Sequence, residues 1–213
     1  MTELVVTGHQ LNFLPGISVM SKIAAADVVI WMDEMQYERH GFVNRNRLAD
    51  GAWLTVPVAD ADTFQPIREV TIADPTGRAR EKIARTFEMR LGKQGARYAE
   101  VMRRPFARLA ALNLALLWRL CHDLGITADW TLQSHLAAAS YGDTSEGIAA
   151  MVAEVGGTVW LSGQSGRNYL DEAPFRARGI EVRYWQHDGP NPCALELLRE
   201  GREHTIASHR SAA

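Results

Sequence analysis

The stretch from Leu4 to Met32, LVVTGHQLNFLPGISVMSKIAAADVVIWM, decides the fold. Residues 4–7 form a short apolar run ended by Gly8, which predicts a buried strand. Residues 17–26 carry a helical pattern. Ala26-Asp27 then leads into Val28-Val29-Ile30-Trp31-Met32, a β-branched run of the kind found in strands covered on both faces. Strand, loop, helix and strand within about thirty residues make a βαβ unit, which predicts a parallel pair with a right-handed crossover.

Downstream, residues 43–48 and 53–58 are strand-like and flank Ala49-Asp50-Gly51, a hairpin signal. Residues 69–72 predict a short strand stopped by Asp74-Pro75. Between 76 and 124 the chain turns rich in Ala, Leu, Arg and Glu, predicting helices near 78–90, 98–102 and 106–124. Gly92 and Gly95 should separate the first two, and Pro105 should open the third. Alternation then returns: strand 130–132, helix 145–155 capped by Asp143 or Thr144, strand 158–161, a mainly helical 167–178, strand 181–185 and helix 193–200. The polar tail 202–213 is expected to fray. The expected fold class is α/β, a mixed and mainly parallel sheet flanked by helices. Residues 1–201 are expected to make one Rossmann-like domain with a helical segment over 76–124.

A length of 213 residues suffices for one large core, and 46% hydrophobic with 23% charged residues is the balance of a globular chain rather than a disordered one. The 23 basic and 25 acidic residues leave a net charge of −2, which gives no general attraction to nucleic acid or anionic lipid. Cys121 and Cys193 stand alone, without the spacing of a zinc site or a disulfide framework, so no metal is expected. The N-terminus lacks the basic and apolar regions of a signal peptide. The apolar stretch at 109–120 is broken by Asn113 and is too short to span a bilayer. A cytoplasmic protein without membrane insertion is the expectation.

Several short motifs occur in a telling order. His9-Gln10-Leu11-Asn12-Phe13-Leu14-Pro15 comes first, followed by Lys22-Ile23-Ala24-Ala25-Ala26-Asp27-Val28 and Met32-Asp33-Glu34-Met35-Gln36-Tyr37. Asn44-Arg45-Asn46-Arg47 and the Trp-Leu-Thr-Val-Pro-Val run at 53–58 come next, and Leu161-Ser162-Gly163-Gln164-Ser165-Gly166-Arg167-Asn168-Tyr169-Leu170 closes the series. Together they resemble the WbqC-like family over nearly the whole chain. Gly16-Ile17-Ser18 departs from the Trp-x-Gly common in that family, and Pro192-Cys193-Ala194 departs from a small Ser-rich motif. The resemblance implies a place in O-antigen, other surface-glycan or secondary-metabolite biosynthesis, with transfer of an acyl or aminoacyl group to an amine.

The residues nominate a site. His9 lies at the end of the first strand, where open α/β sheets bind ligands, and an imidazole there suits a general base; the plainer alternative is a ring bonded to backbone in a tight turn. Gln10 either orients that ring or binds substrate. Asp33 is read as the partner of His9 or of a substrate amine, against a solvated helix-capping acid; Glu34 beside it is weak as a metal ligand. Tyr37 is grouped with them as a substrate contact. Asn44 and Asn46 share one strand face and Arg45 and Arg47 the other, where two arginines can clamp phosphate or carboxylate or simply pair with acids. Ser162, Gly163, Ser165, Gly166 and Arg167, with Tyr169, form a Gly-rich strand-to-helix loop suited to an anion, or else a plain helix cap. Neither Walker A nor GxGxxG is present, so no cofactor is named. His187, beyond a strand, is a further candidate; Cys193 is not a nucleophile candidate.

The expected activity is direct transfer from a small-molecule or carrier-linked donor with an anionic group, without a covalent enzyme intermediate. Two alternatives stand beside it. The first strand, Pro-containing loop and Asp-led second strand are similar to HIGH-type nucleotidylyltransferases, although HxGH is missing. A ligand-binding protein of a biosynthetic complex would lack a converging His9 and Asp33.

Overall fold

In the computed structural model, residues 2–59, 64–141, 144–202 and 206 are described. Five strands form one sheet: Val5–Gln10 (β1), Val28–Met32 (β2), Asp129–Leu132 (β5), Val159–Gly163 (β6) and Glu181–Trp185 (β7). Their spatial order is β5-β2-β1-β6-β7, and every pairing is parallel. The antiparallel pair, Arg45–Arg47 (β3) with Trp53–Thr55 (β4), stands apart as the hairpin that Asp50-Gly51 predicts. The chain order reverses between β1 and β6, so the connections from these neighbours leave in opposite directions and open a crevice beyond their carboxyl ends.

β1 runs further than its sequence suggests. Gly8 does not end it: the residue pairs with Ile30, and His9 and Gln10 continue the ladder opposite Trp31 and Met32. Glycine is needed here for close approach, since a Cβ would lie 2.7 Å from the Trp160 ring. His9 is therefore held on a strand rather than on a loop.

Helices cover both faces. Ile17–Ala24 (α1), Arg78–Arg103 (α2), Leu109–Asp123 (α3) and Leu195–Arg199 (α6) share a core with Val29, Trp31 and the hairpin. Ser145–Glu154 (α4) and Ala173–Ala177 (α5) enclose a second core around Val6, Ile30, Met32 and Trp160. The segregation follows from period-two alternation along β1 and β2, which sends neighbouring residues to opposite faces.

Some boundaries differ from expectation. The two helices expected over 78–102 are one element broken at Gly92 (φ 55, ψ −128), after which the chain re-enters the helix at once and Gly95 lies against the Phe87 backbone. Residues 105–108 are not helical, because Thr71 bridges to Arg108 and the Leu109 amide donates to the Val70 carbonyl. The strand expected at 69–72 is a 3-10 turn, Ile67–Glu69, followed by isolated bridges. The segment 167–178 splits into a 3-10 turn at Gln164–Asn168 and α5. Thr144 caps α4 through its hydroxyl, which accepts from the Gly147 amide at 3.1 Å; Asp143 lies outside the described residues, as does the tail beyond Arg202 apart from Ile206.

Among the described residues no helix is long and apolar enough to cross a membrane.

Candidate functional site

The loop after β1 is built by backbone and amide contacts. Leu14 has a left-handed backbone (φ 51), strained for a branched side chain. Its carbonyl accepts from the Asn46 side-chain amide and from Cys193 Sγ at 3.4 Å. Asn113, fully buried on α3, donates to the carbonyls of Leu11 at 2.6 Å and Val43 at 2.8 Å. Asn44 Nδ2 donates to the Val56 carbonyl at 2.9 Å. These asparagines hold the loop against the hairpin and α3, and their side-chain N–H donors are spent on backbone carbonyls and not on a ligand.

Where β1 and β6 end lies a cavity of about 650 Å³. His9 and Gln10 reach it from β1, Ser162 and Gly163 from β6, and Ser165 and Tyr169 from the loop that follows. Trp160, Trp185 and His187 complete much of its wall. Gly166 does not line it but covers Ser162, whose hydroxyl occupies the place a Cβ would take.

The group that the sequence reading missed is Lys22. It lies on the inner side of α1, 5% exposed, lines the cavity, and donates from Nζ to the Gly8 carbonyl at 2.8 Å. Burial lowers its pKa to about 8. Among the described residues no aspartate or glutamate lines the cavity. The signal was its position: Lys22 sits between Ser21 and Ile23, both buried, where α1 should turn its apolar side inward.

His9 is less basic than a general base at neutral pH requires. Burial, then the Lys22 charge, pushes its pKa down to about 3. The Asn12 side-chain N–H lies 3.2 Å from Nε2, making Nε2 an acceptor and placing the ring proton on Nδ1. The ring is neutral, and the lone pair of its acceptor nitrogen is already engaged. Its partner is Asn12, not Asp33. Asp33 is buried at the end of β2, where one carboxylate oxygen accepts from the Ser134 amide at 2.9 Å and the other from the Ser134 hydroxyl at 2.7 Å. It ties the chain after β5 to that after β2 and does not line the cavity.

The remaining candidates also lie elsewhere. Tyr37 is buried in the α1-side core, and its hydroxyl pKa is raised by burial. Arg45 and Arg47 do not clamp an anion in this cavity. Arg45 stacks over Trp53 at 4.4 Å and donates to the His40 carbonyl at 2.6 Å, while Arg47 lies 6.0 Å from the same ring. Arginine gains more from an aromatic face plus carbonyl acceptors than from a solvated β-edge, which the alternation pattern does not reveal. Arg167 turns outward over Tyr184 at 4.3 Å. Glu34 pairs with Arg68 at 2.7 Å. Among the described residues no group of three or more His, Cys, Asp or Glu side chains is placed to hold a metal ion. Cys193 is buried, and burial pushes its thiol up to about 12, so it is not a thiolate near neutral pH.

Chemically, the arrangement offers hydrogen-bond donors and positive charge. Besides Lys22, Gln164 and Ser165 line the cavity with side-chain donors. An acceptor-rich ligand complements both.

Comparison with known proteins agrees with the motif order. A protein of Mycobacterium tuberculosis (strain ATCC 25618 / H37Rv), named as uncharacterized protein Rv1507c, is 32% identical over 192 residues, covering 84% of this chain and 81% of its own. No solved structure matches. The family model described as WbqC-like protein family matches residues 10–192, from the end of β1 to the turn before α6, and the chain belongs to that family.

Proposed function

We propose that the protein is a transferase that joins an activated acyl or aminoacyl group to an amine, and that the cavity at β1 and β6 holds the anionic part of the donor. One observation carries this reading: Lys22, itself buried, brings a cation to a cavity whose described lining residues include no carboxylate to balance it. An ionised amine out of water costs several kcal/mol unless a counter-charge accompanies it. A phosphate, sulfate or carboxylate on the donor supplies that charge, and the Ser162–Ser165 turn supplies further polar contacts. The family's association with surface-glycan and secondary-metabolite biosynthesis fits an amino-sugar or similar amine as acceptor.

The test incubates the purified protein with pooled activated acyl donors and amino-sugar nucleotides and searches for the condensed product by mass. Sulfate binding by calorimetry separates the anion site from the chemistry, because sulfate keeps its charge between pH 6 and 10. Binding should weaken as pH rises through about 8, where Lys22 loses its proton. Sulfate bound equally by wild type and Lys22→Met would sink the proposal.

A second reading, a ligand-binding protein without turnover, draws on the separation of Asp33 from His9 and on the engaged Nε2 of His9. Sulfate binding with no condensed product from any donor would favour it.

A further inference from the structure

The cavity that Lys22 reaches is not polar throughout. Helix α1 brings Ser18, Val19 and Lys22 to it from one face of the sheet. From the other face come Met32, Ile148 and Trp160, which belong to the core under α4 and are 6%, 6% and 4% exposed. Met35, half-buried just past β2, adds a second thioether to this apolar floor. The two sides meet at Gly8. Its carbonyl accepts from Lys22 Nζ at 2.8 Å. A Cβ on the same residue would lie 2.7 Å from the Trp160 ring and 3.4 Å from Met32 Cε. The charge and the apolar floor therefore border on one glycine.

We infer that the acyl group of the donor is apolar and carries no amino group, its chain seated against Met32, Met35, Ile148 and Trp160 while the anionic part of the donor meets Lys22. The inference rests on the transferase reading and chooses between the two donor classes that reading leaves open. A ligand that joins an anion and a hydrocarbon chain within a few bonds matches a site where the cation and the apolar floor share one residue. Seating the chain removes apolar surface from water on both partners. Two of the four floor residues are methionines, whose flexible thioethers adapt to chains of differing shape.

An aminoacyl group fits the same place poorly. Its α-ammonium is one carbon from the acyl carbonyl, which sets it between the Lys22 ammonium and the floor. On one side it meets a like charge. On the other it loses water and finds nothing stronger than thioether sulfur as an acceptor. Gln10, the next residue on the Gly8 face of β1, lines the cavity and is polar but uncharged, so it can serve a carbonyl and cannot balance an ammonium. Among the described residues no carboxylate lines the cavity to do so.

Short carboxylates read the seat without turnover. The probes are sulfate, acetate, butyrate and L-2-aminobutyrate, which is butyrate with an α-ammonium, each titrated at pH 7 by NMR. A buried methylene strengthens binding about fourfold, so butyrate should bind about tenfold tighter than acetate. The α-ammonium should weaken butyrate binding about fivefold. Met35→Ser should remove much of the advantage of butyrate over acetate and leave sulfate unchanged, whereas Lys22→Met should weaken every anion. In wild-type protein carrying 13C at its methionine methyls, the terminal methyl of butyrate should give NOEs to Met32 and Met35, a readout that needs no variant to fold. Butyrate bound no tighter than acetate, L-2-aminobutyrate bound as tightly as butyrate, or NOEs to neither methionine would overturn the inference. If sulfate binding survives Lys22→Met while the butyrate NOEs remain, the donor-anion reading falls and the apolar seat stands.

Discussion

Replacing Lys22 by methionine should make the folded protein more stable near neutral pH. The lysine's pKa falls from 10.5 to about 8 through burial. At about 1.4 kcal/mol per unit, keeping the amine charged inside the fold costs about 3 kcal/mol relative to the unfolded chain. Methionine has a similar length and no charge, so this cost vanishes. Against it stands the lost Nζ bond to the Gly8 carbonyl, worth about 1–2 kcal/mol. The net gain is about 1–2 kcal/mol at pH 7, or about 2–8 °C in Tm for a chain of this size. The pH dependence is more diagnostic than the size. Below about pH 8 both folded and unfolded wild type keep the proton, and the cost is present in full. Between about 8 and 10.5 the folded state releases its proton while the unfolded state holds it, so wild-type stability rises with pH. The variant has no such group, and its advantage should shrink to nothing or reverse by pH 10. Urea melts followed by tryptophan fluorescence at intervals from pH 6.5 to 10 give both curves. Parallel curves would refute the claim that a charged amine is buried at the cavity. A less stable variant at pH 7 would refute the balance of terms.

Three further outcomes follow from the same contacts. His9→Gln should flatten acid unfolding: wild type resists protonation down to about 3 while the unfolded ring protonates near 6.5, so its stability falls with pH through that window. The drop is at most about 5 kcal/mol at pH 3, and less because one edge of the half-buried ring borders the cavity; an acid titration by circular dichroism measures it. Asn113→Ala leaves the Leu11 and Val43 carbonyls without their donor and should cost about 2–4 kcal/mol in a urea melt, with m unchanged. Arg45→Ala with Arg47→Ala should leave sulfate affinity within twofold of wild type by calorimetry, since both guanidinium groups lie over Trp53 and away from the cavity.

The sheet was legible where short runs of strand-forming residues stand between turn signals: β2, an apolar β-branched run, and β7, with Val182, Tyr184 and Trp185, have the bounds the sequence predicts. The parallel pairing of β1 with β2 follows from the βαβ unit in the first thirty or so residues. The site was legible only where it lies on strand ends. His9, Gln10, Ser162 and Gly163 meet because two adjacent parallel strands finish at one rim, a rule that needs no side-chain detail. Asp33 stands past the next strand on the same rim, yet a serine more than a hundred positions away takes both its oxygens. Local pattern holds no record of such a partner. The arginines fail for a related reason: alternation assigns them a face correctly, but not the tryptophan that occupies them. Lys22 was hidden by the opposite bias, because a lysine in a helix is assumed to be solvated. It becomes conspicuous once α1 is seen to press that side against β1.

The two departures from the family's usual pattern, at Gly16 and Cys193, are not independent. These residues pair as an antiparallel bridge, and the neighbouring Ala194 amide donates to the Pro15 carbonyl at 2.9 Å. A Cβ at position 16 would lie 2.5 Å from Asn191 Oδ1, the atom that accepts from the Ser18 amide at 2.8 Å. A side chain at position 16 would therefore require the Asn191 amide to move from this place and give up its bond to the Ser18 amide. Cys193 meanwhile supplies Sγ to the strained Leu14 carbonyl, a contact that a serine hydroxyl could also make. Both changes fall on the seam where the loop before α1 meets the segment before α6, and Ser18 is the residue of that seam that reaches the cavity. Lys22, one turn further along α1, bonds to β1 and not to the seam. These two departures thus lie at one wall, and the group that sets the charge of the cavity is anchored independently of it.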